Sequence, residues 1–180
     1  MDTMQYTHLY RSPLGTITLA ADSEGLTGLW FEGQKYFAAT LDAQHEETML
    51  PIFEQTRRWL DNYFGGNDPG PTPPLHLQGS PFRLAVWEIL RQIPFGKTIT
   101  YGEIAREIAR RQGSKTAPAQ AVGGAVGHNP VSIIVPCHRV VGSNGSLTGY
   151  AGGIERKVRL LALEKADMTG LFAPQKGTAL

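Results

Sequence analysis

Cys137 and His138 are the residues whose types and adjacency point most directly to chemistry. Cys137 is the only cysteine of the 180 residues, so it has no partner for a disulfide, a CxxC redox pair or a thiolate zinc site. It is therefore either an inert buried side chain or a nucleophile. His138 and Arg139 follow it directly, and both can stabilise a thiolate. These neighbours favour the nucleophile.

The segment before the thiol is apolar. Residues 132–135 read Ser-Ile-Ile-Val, and Pro136 ends the run. This pattern predicts a buried strand with the thiol at its end.

The pentapeptide at 136–140, Pro-Cys-His-Arg-Val, resembles the active-site signature of the O6-alkylguanine-DNA alkyltransferases, which move an alkyl group from DNA onto their own cysteine. The resemblance extends from Ser80 to about Glu164, and the first third of the chain is similar only loosely. Four further segments carry it, in this order: 96–105 (Gly-Lys-Thr-Ile-Thr-Tyr-Gly-Glu-Ile-Ala), 120–125 (Gln-Ala-Val-Gly-Gly-Ala), Asn129-Pro130, and 149–153 (Gly-Tyr-Ala-Gly-Gly).

The resemblance implies a role for each catalytic residue. Cys137 would accept the alkyl group, His138 would draw the thiol proton through a water, and Glu164 would orient and charge that histidine. Tyr101 would donate a proton toward the departing guanine. Without the resemblance, Glu164 reads as a solvated helix residue and Tyr101 as an aromatic that packs at a helix start.

The resemblance also implies a base pocket. Val140 and Tyr150 would line it, while Gly152 and Gly153 would let the backbone close over the base. Asn129 would brace the turn before the active-site segment, although Asn-Pro is an ordinary turn signal as well. Ala151 stands where some relatives have serine, which removes one hydrogen bond to the base.

A pair of helices with a glycine-containing turn predicts a helix-turn-helix. The first carries Arg106, Arg110 and Arg111 on one face, and the second spans about residues 117–126 with almost no large side chains. Gln120 stands where the family often has an arginine that replaces the flipped base in the stack. The residues expected at DNA are Gln120, Ala121, Gly124, Arg106, Arg110 and Arg139.

Charge is divided unevenly along the chain. Residues 1–79 hold four basic and ten acidic residues, and residues 80–180 hold thirteen and six, which together give the net charge of +1. A basic half that also contains the thiol is typical of a nucleic-acid-binding protein.

Local patterns predict the organisation of an α/β (α+β) protein. Residues 1–79 read as a small sheet-plus-helix domain of structural role, ribonuclease-H-like by resemblance, that ends in a linker with four prolines at 69–74. Residues 80–167 read as a helical, winged-helix-like domain for DNA binding and alkyl transfer. Residues 168–180 read as a loose tail.

The chain has no apolar run near the roughly 20 residues that span a bilayer, and its first residues lack a signal-peptide pattern. Together with a single free thiol, this predicts a cytoplasmic protein. We expect a monomer without metal or cofactor, whose partner is double-stranded DNA bearing alkylated bases.

The sequence therefore predicts direct reversal of O6-alkylguanine damage, and possible action on O4-alkylthymine, with one event per molecule because an S-alkylcysteine is a stable thioether. Two other functions stay open. A non-catalytic binder of alkylated bases would not need Cys137. A thiol hydrolase using Cys137 and His138 would turn over and would not need a basic helix pair.

Overall fold

Three N-terminal strands form an antiparallel meander, as the β-favouring runs at 6–11, 16–20 and 26–31 and the turn sequences between them predict. The computed structural model describes residues 4–115 and 119–174. Strands β1 (Gln5–Ser12), β2 (Gly15–Ala21) and β3 (Leu26–Phe31) pair in sequence order. All six residues of β3 are buried. A short strand that the sequence pattern did not predict, β4 (His45–Glu47), pairs with β1 in parallel and completes the order β3-β2-β1-β4.

Helix α1 (Pro51–Phe64) starts with proline, as predicted, and buries one face. The buried residues are Phe53, Thr56, Leu60 and Tyr63. The 3.6-residue spacing of apolar residues after Pro51 predicts a buried face that contains Ile52, Trp59 and Phe64 and omits Phe53. In the structure these three residues are only half-buried, whereas Phe53 is buried. The helix is thus turned slightly from the orientation that the apolar pattern indicated.

The proline-rich stretch expected to be a linker is bonded along β3. Leu26 donates its N–H to the Pro74 carbonyl at 2.8 Å, and His76 donates to the Leu26 carbonyl at 2.8 Å. The His76 ring also contacts Asp22 and Glu24. The stretch therefore satisfies the backbone N–H and carbonyl of Leu26, which a free linker would leave to water.

Helices α2 (Pro81–Arg91) and α3 (Tyr101–Gln112) begin where their capping residues predict. Ser80 Oγ accepts the Arg83 N–H, and Thr100 and Glu103 form both bonds of a capping box. Helix α4 (Ala119–Gly127) follows; residues 117 and 118 of its predicted span lie outside the described residues. The Trp87 indole N–H donates to the Ala125 carbonyl at 2.8 Å and ties α2 to α4.

The predicted strand at 132–135 is wrong. Val131 alone forms a bridge, to Leu29, and the chain then turns at 132–134. The backbone of Ile133 has φ +70°, which is incompatible with an extended strand. The thiol therefore follows a turn.

Two short strands of two residues each, β5 (Ile99–Thr100) and β6 (Val140–Val141), pair in parallel. In the sequence, β5 precedes helix α3 and β6 follows helix α4. Helix α5 spans Ile154–Leu163, with Glu164 as its C-cap. The apolar pattern of the sequence predicts a helix that continues to about Ala166, so the observed helix is shorter than predicted. Part of the tail expected to be loose is attached, because Phe172 exchanges backbone hydrogen bonds with Gly145 and Leu147. Its last residues, 175–180, lie outside the described part.

The chain divides into two compact units. One comprises Met1–Gln78 with Pro130–Ile134, and the other comprises Gly79–Asn129 with Val135–Leu180. The first unit thus takes in five residues from just upstream of Cys137. Within residues 4–115 and 119–174, no helix has the length and apolar character to span a bilayer.

Candidate active site

Cys137 begins a 3₁₀ turn (Cys137–Arg139) and is buried, with 4% of its surface exposed. Its N–H donates to the Val135 carbonyl at 2.8 Å across Pro136. Burial raises the pKa of the thiol, and the hydrogen bond from Asn129 and the charge of Lys157 oppose that rise. The site thus excludes water around the sulfur while providing groups that stabilise its anion.

Asn129 holds both the backbone and the sulfur. Its Nδ2 donates to the Val135 carbonyl at 2.7 Å and to Cys137 Sγ at 3.2 Å. The same amide group therefore contacts both the backbone that precedes the thiol and the thiol itself. An amide donor on Sγ favours the thiolate over the thiol.

A buried cluster of three charged or titratable groups follows the thiol. Nε2 of His138 lies 2.6 Å from Oε2 of Glu164. Arg139 donates from Nε to Glu164 Oε1 at 2.8 Å and from Nη2 to Oε2 at 3.1 Å. The N–H of Gly96 adds a bond to Oε1 at 3.0 Å. Both oxygens of a carboxylate at the end of α5 are thereby held in place.

The electrostatics of the cluster assign its protonation states. Burial alone would raise the pKa of Glu164, but His138 and Arg139 hold it well below its usual range. Burial lowers the pKa of His138, against the opposing effect of Glu164. A neutral imidazole facing an ionised carboxylate is ready to accept a proton, and the carboxylate stabilises the imidazolium that results.

Arg139 was expected at DNA, and the structure gives it other partners. In addition to its bonds to Glu164, Arg139 donates from Nη1 to the Ile93 carbonyl at 2.7 Å. Only 8% of the surface of this residue is exposed. The guanidinium therefore holds the Glu164 carboxylate in place inside the fold. These contacts do not support the expected role of Arg139 at a DNA phosphate.

Lys157 is the site residue that the sequence reading missed. It is fully buried on α5, and its Nζ donates to the carbonyls of Val140 and Thr148. Burial lowers its pKa to about 8, while Cys137 acts in the opposite direction. The available signal was its position, three residues after Ile154 and four before Leu161 on the apolar face of the helix.

Tyr101 opens α3 and reaches the loop before α5. Its hydroxyl donates to the Thr148 carbonyl at 3.3 Å. Burial, and secondarily Cys137, raise its pKa. Gly149 is required beside it, because its backbone has φ +87° and a Cβ there would lie 2.5 Å from the hydroxyl oxygen.

The residues expected around the base belong to this loop and to β6. Val140 and Tyr150 are buried, and the Tyr150 ring meets the His138 ring edge-on at 6.3 Å. Gly152 lies against Tyr150, since a Cβ there would come within 2.5 Å of the ring. Ala151 and Gly153 complete the loop, and Gly153, with φ +93°, is the N-cap of α5.

The predicted DNA-facing residues are split between two helices. On α4, Gln120 and Ala121 are exposed, and added Cβ atoms at Gly123 and Gly124 would meet open space. On α3, Arg106 is exposed, whereas Arg110 and Arg111 both bond to Glu107. The sequence pattern showed three basic residues on a face, and the structure shows that two of them share a carboxylate.

The fold and the cluster define a protein with a single buried thiol beside a histidine–glutamate pair, in the same unit as two successive helices, α3 and α4, the second of which has exposed small residues. Two family models match: the 6-O-methylguanine DNA methyltransferase ribonuclease-like domain over residues 5–75 and the DNA-binding domain of the same family over residues 81–166. The chain belongs to the 6-O-methylguanine DNA methyltransferase family.

Relatives match over nearly their whole length. A methylated-DNA–protein-cysteine methyltransferase of Haemophilus influenzae is 40% identical, covering 92% of this chain and 88% of that protein. One from Methanosarcina acetivorans is 42% identical, covering 88% and 97%. The crystal structure of Mycobacterium tuberculosis OGT in complex with DNA is similar with a TM-score of 0.77 and 40% identity, covering 92% and 98%.

Proposed function

We propose that this protein repairs DNA by moving the alkyl group of O6-alkylguanine onto Cys137, once per molecule. The observation that carries the proposal is the contact of Asn129 Nδ2 with the buried sulfur, beside a His138–Glu164 pair at 2.6 Å. The relatives named above are methyltransferases of the same kind. Double-stranded DNA bearing the lesion is the partner, and no cofactor takes part.

The chemistry is a displacement at the alkyl carbon. The sulfur forms a bond to that carbon while the bond from carbon to O6 breaks, and its electrons pass to the guanine. The thiol proton goes to His138 through a water, and because Nε2 faces Glu164, it arrives at Nδ1. The product is a neutral and stable thioether, so Cys137 is not regenerated and each molecule acts once.

Departure of guanine requires a proton, and Tyr101 supplies it. Its raised pKa keeps the phenol protonated at neutral pH, so that it acts as a donor. In the free protein the hydroxyl donates to the Thr148 carbonyl.

Recognition of the lesion uses the exposed face of α4. Cys137 is buried, with 4% of its surface exposed, so the nucleotide must be flipped out of the duplex to bring its alkyl carbon to the sulfur. Gln120 on this face fills the gap and can hydrogen-bond the orphaned base, in place of a charged arginine. Ala121 and Gly124 allow the helix to approach the groove closely.

We further propose that residues 1–79 form a domain of structural role, that residues 80–167 carry recognition and transfer, and that the protein acts as a monomer. A cytoplasmic location would keep the acceptor thiol reduced.

The test uses duplex DNA carrying O6-methylguanine with a labelled methyl group. Wild-type protein is expected to take up the label, and Cys137→Ser is expected to take up none while binding the duplex with nearly unchanged affinity, because phosphate contacts supply most of that affinity. Gel-shift titration measures the binding. Label on Cys137→Ser, or turnover of an ester or peptide by the wild type, would contradict the proposal.

A further inference from the structure

Ile133, four residues before the thiol, has an unusual backbone. Its φ of +70° lies in the left-handed region, which β-branched residues rarely enter. The N–H of Ile134 donates to the Ser132 carbonyl at 2.8 Å, so Ile133 is the centre of a three-residue γ-turn. The form of this turn with a positive φ is the strained one.

A second γ-turn follows at once. Pro136 has φ −83° and ψ 66°, and the Cys137 N–H donates across it to the Val135 carbonyl. These angles match the relaxed, inverse form of the turn. The chain therefore reverses twice within six residues and arrives at the sulfur, with all the strain at Ile133.

Contacts on both sides hold the strained turn in place. The Ile133 side chain is 1% exposed. Just upstream, Leu29 of β3 donates to the Pro130 carbonyl at 2.9 Å and accepts from the Ser132 N–H at 3.0 Å. A left-handed isoleucine persists only where its surroundings over-determine it, and such residues concentrate at functional sites.

The turn leads directly to the group that contacts the sulfur. The Val135 carbonyl accepts from both the Cys137 N–H and Asn129 Nδ2, and that same nitrogen reaches Sγ. The direction of the Val135 peptide thus decides whether the amide can serve the backbone and the sulfur together.

We infer that Ile133 is a positioning residue for alkyl transfer: its left-handed turn directs the chain so that the Val135 carbonyl and the Cys137 sulfur meet the Asn129 amide. The inference rests on the proposed function, because the rate of transfer is its readout.

Two substitutions at position 133 separate the effect of the backbone conformation from the effect of side-chain packing. Ile133→Gly and Ile133→Ala both empty the side-chain site, but only glycine adopts φ +70° without a Cβ penalty. We expect Ile133→Gly to alkylate Cys137 from free O6-benzylguanine at least tenfold faster than Ile133→Ala and to melt at a higher temperature. In Ile133→Ala the turn relaxes and Asn129 loses the sulfur, so the pH profile of the rate shifts upward with the thiol pKa.

The neighbouring isoleucine provides the matched control. Ile134 is also buried, at 4% exposure, and its backbone lies outside the left-handed region. There alanine should exceed glycine in stability and rate, which is the usual order. The same order at both positions, equal behaviour of the two Ile133 variants, or failure of both to fold would overturn the inference. Methylation of the wild type would still establish the proposed function.

Discussion

Lys157 is a buried ammonium beside a sulfur that must become anionic. Its hydrogen bonds to the carbonyls of Val140 and Thr148 satisfy two of its three donors, and its charge lowers the pKa of the thiol. Thr148 also accepts from Tyr101. The Thr148 carbonyl thus accepts hydrogen bonds both from the cation that favours the thiolate and from the phenol that we propose as the proton donor to guanine.

Removing that charge should slow transfer and change how stability depends on pH. The pKa of Lys157 falls from 10.5 to about 8 on folding. The unfolded chain therefore binds more protons between those values, and the folded state gains stability as pH rises from 8 to 10.5, by up to about 1.4 kcal/mol per unit. Lys157→Met should lose this rise and should react more slowly at neutral pH.

Urea unfolding and single-turnover rates between pH 7 and 10.5 measure both effects. The exposed Lys97→Met variant sets the baseline for losing a lysine elsewhere on the same unit. Identical pH dependence of unfolding in wild type and Lys157→Met would contradict this prediction, because it would show that folding does not lower the pKa of the Lys157 amine.

The sequence predicted these residues unequally. Cys137 and His138 stand out because they are adjacent and the cysteine is unique. Lys157 does not, since lysine is almost never fully buried, and its place on the apolar face of α5 is a weak signal beside that tendency. Arg139 was expected at DNA for the same reason: its partner Glu164 is 25 residues away in sequence, and only the folded chain joins them.

Helix α3 presents less free positive charge than its sequence suggests. Glu107 bonds to Arg110 at 2.6 Å and to Arg111 at 3.0 Å, and the hydrogen bonds from the two arginines lower its pKa to about 2. It stays ionised at any working pH. Arg106 on the same helix is exposed.

Glu107→Gln should therefore release two arginines for phosphate. We expect DNA of any sequence to bind several-fold more tightly at low salt, with a steeper dependence of affinity on salt concentration, and the triple alanine variant of Arg106, Arg110 and Arg111 to show the reverse. Fluorescence anisotropy between 50 and 200 mM salt measures the slope. Glu155→Gln makes the same charge change on α5; an equal effect there would mean that net charge alone acts.

Gln120 offers a test of α4. If it occupies the space of the flipped base, Gln120→Ala should slow transfer from duplex DNA roughly tenfold, a loss of about 1.4 kcal/mol, and leave transfer from free O6-benzylguanine nearly unchanged. Gln120→Arg should keep or raise the duplex rate. Stopped-flow or quench measurements on both substrates suffice, and equal slowing of the two would place Gln120 in the pocket or the fold.

Elements with local signals were predicted well. The meander follows from alternation and turn residues, and α2 and α3 begin at residues whose side chains cap them. Elements that depend on distant partners were not predicted. All three residues of β4 are exposed, and the strand forms only by pairing with β1. The segment expected to be a strand at 132–135 forms a turn beside its hydrogen bonds to β3. Tertiary pairing overrides local propensity in both cases.

The uneven charge along the sequence agrees with the order of the structural elements in the molecule. The acidic first part of the sequence forms the sheet, and the basic second part holds the helix pair and the thiol. The unit boundaries show what periodicity could not: Pro130–Ile134, which leads to Cys137, belongs to the sheet unit.

The central claim is that Cys137 itself takes the alkyl group and does so once. Intact mass spectrometry with peptide mapping, after incubation of the protein with excess duplex DNA containing O6-methylguanine, tests it most directly. We expect a gain of one methyl group per molecule, mapped to Cys137, with repair stopping when every molecule is modified. Continued repair beyond one event per molecule, or a methyl group on another residue, would contradict it.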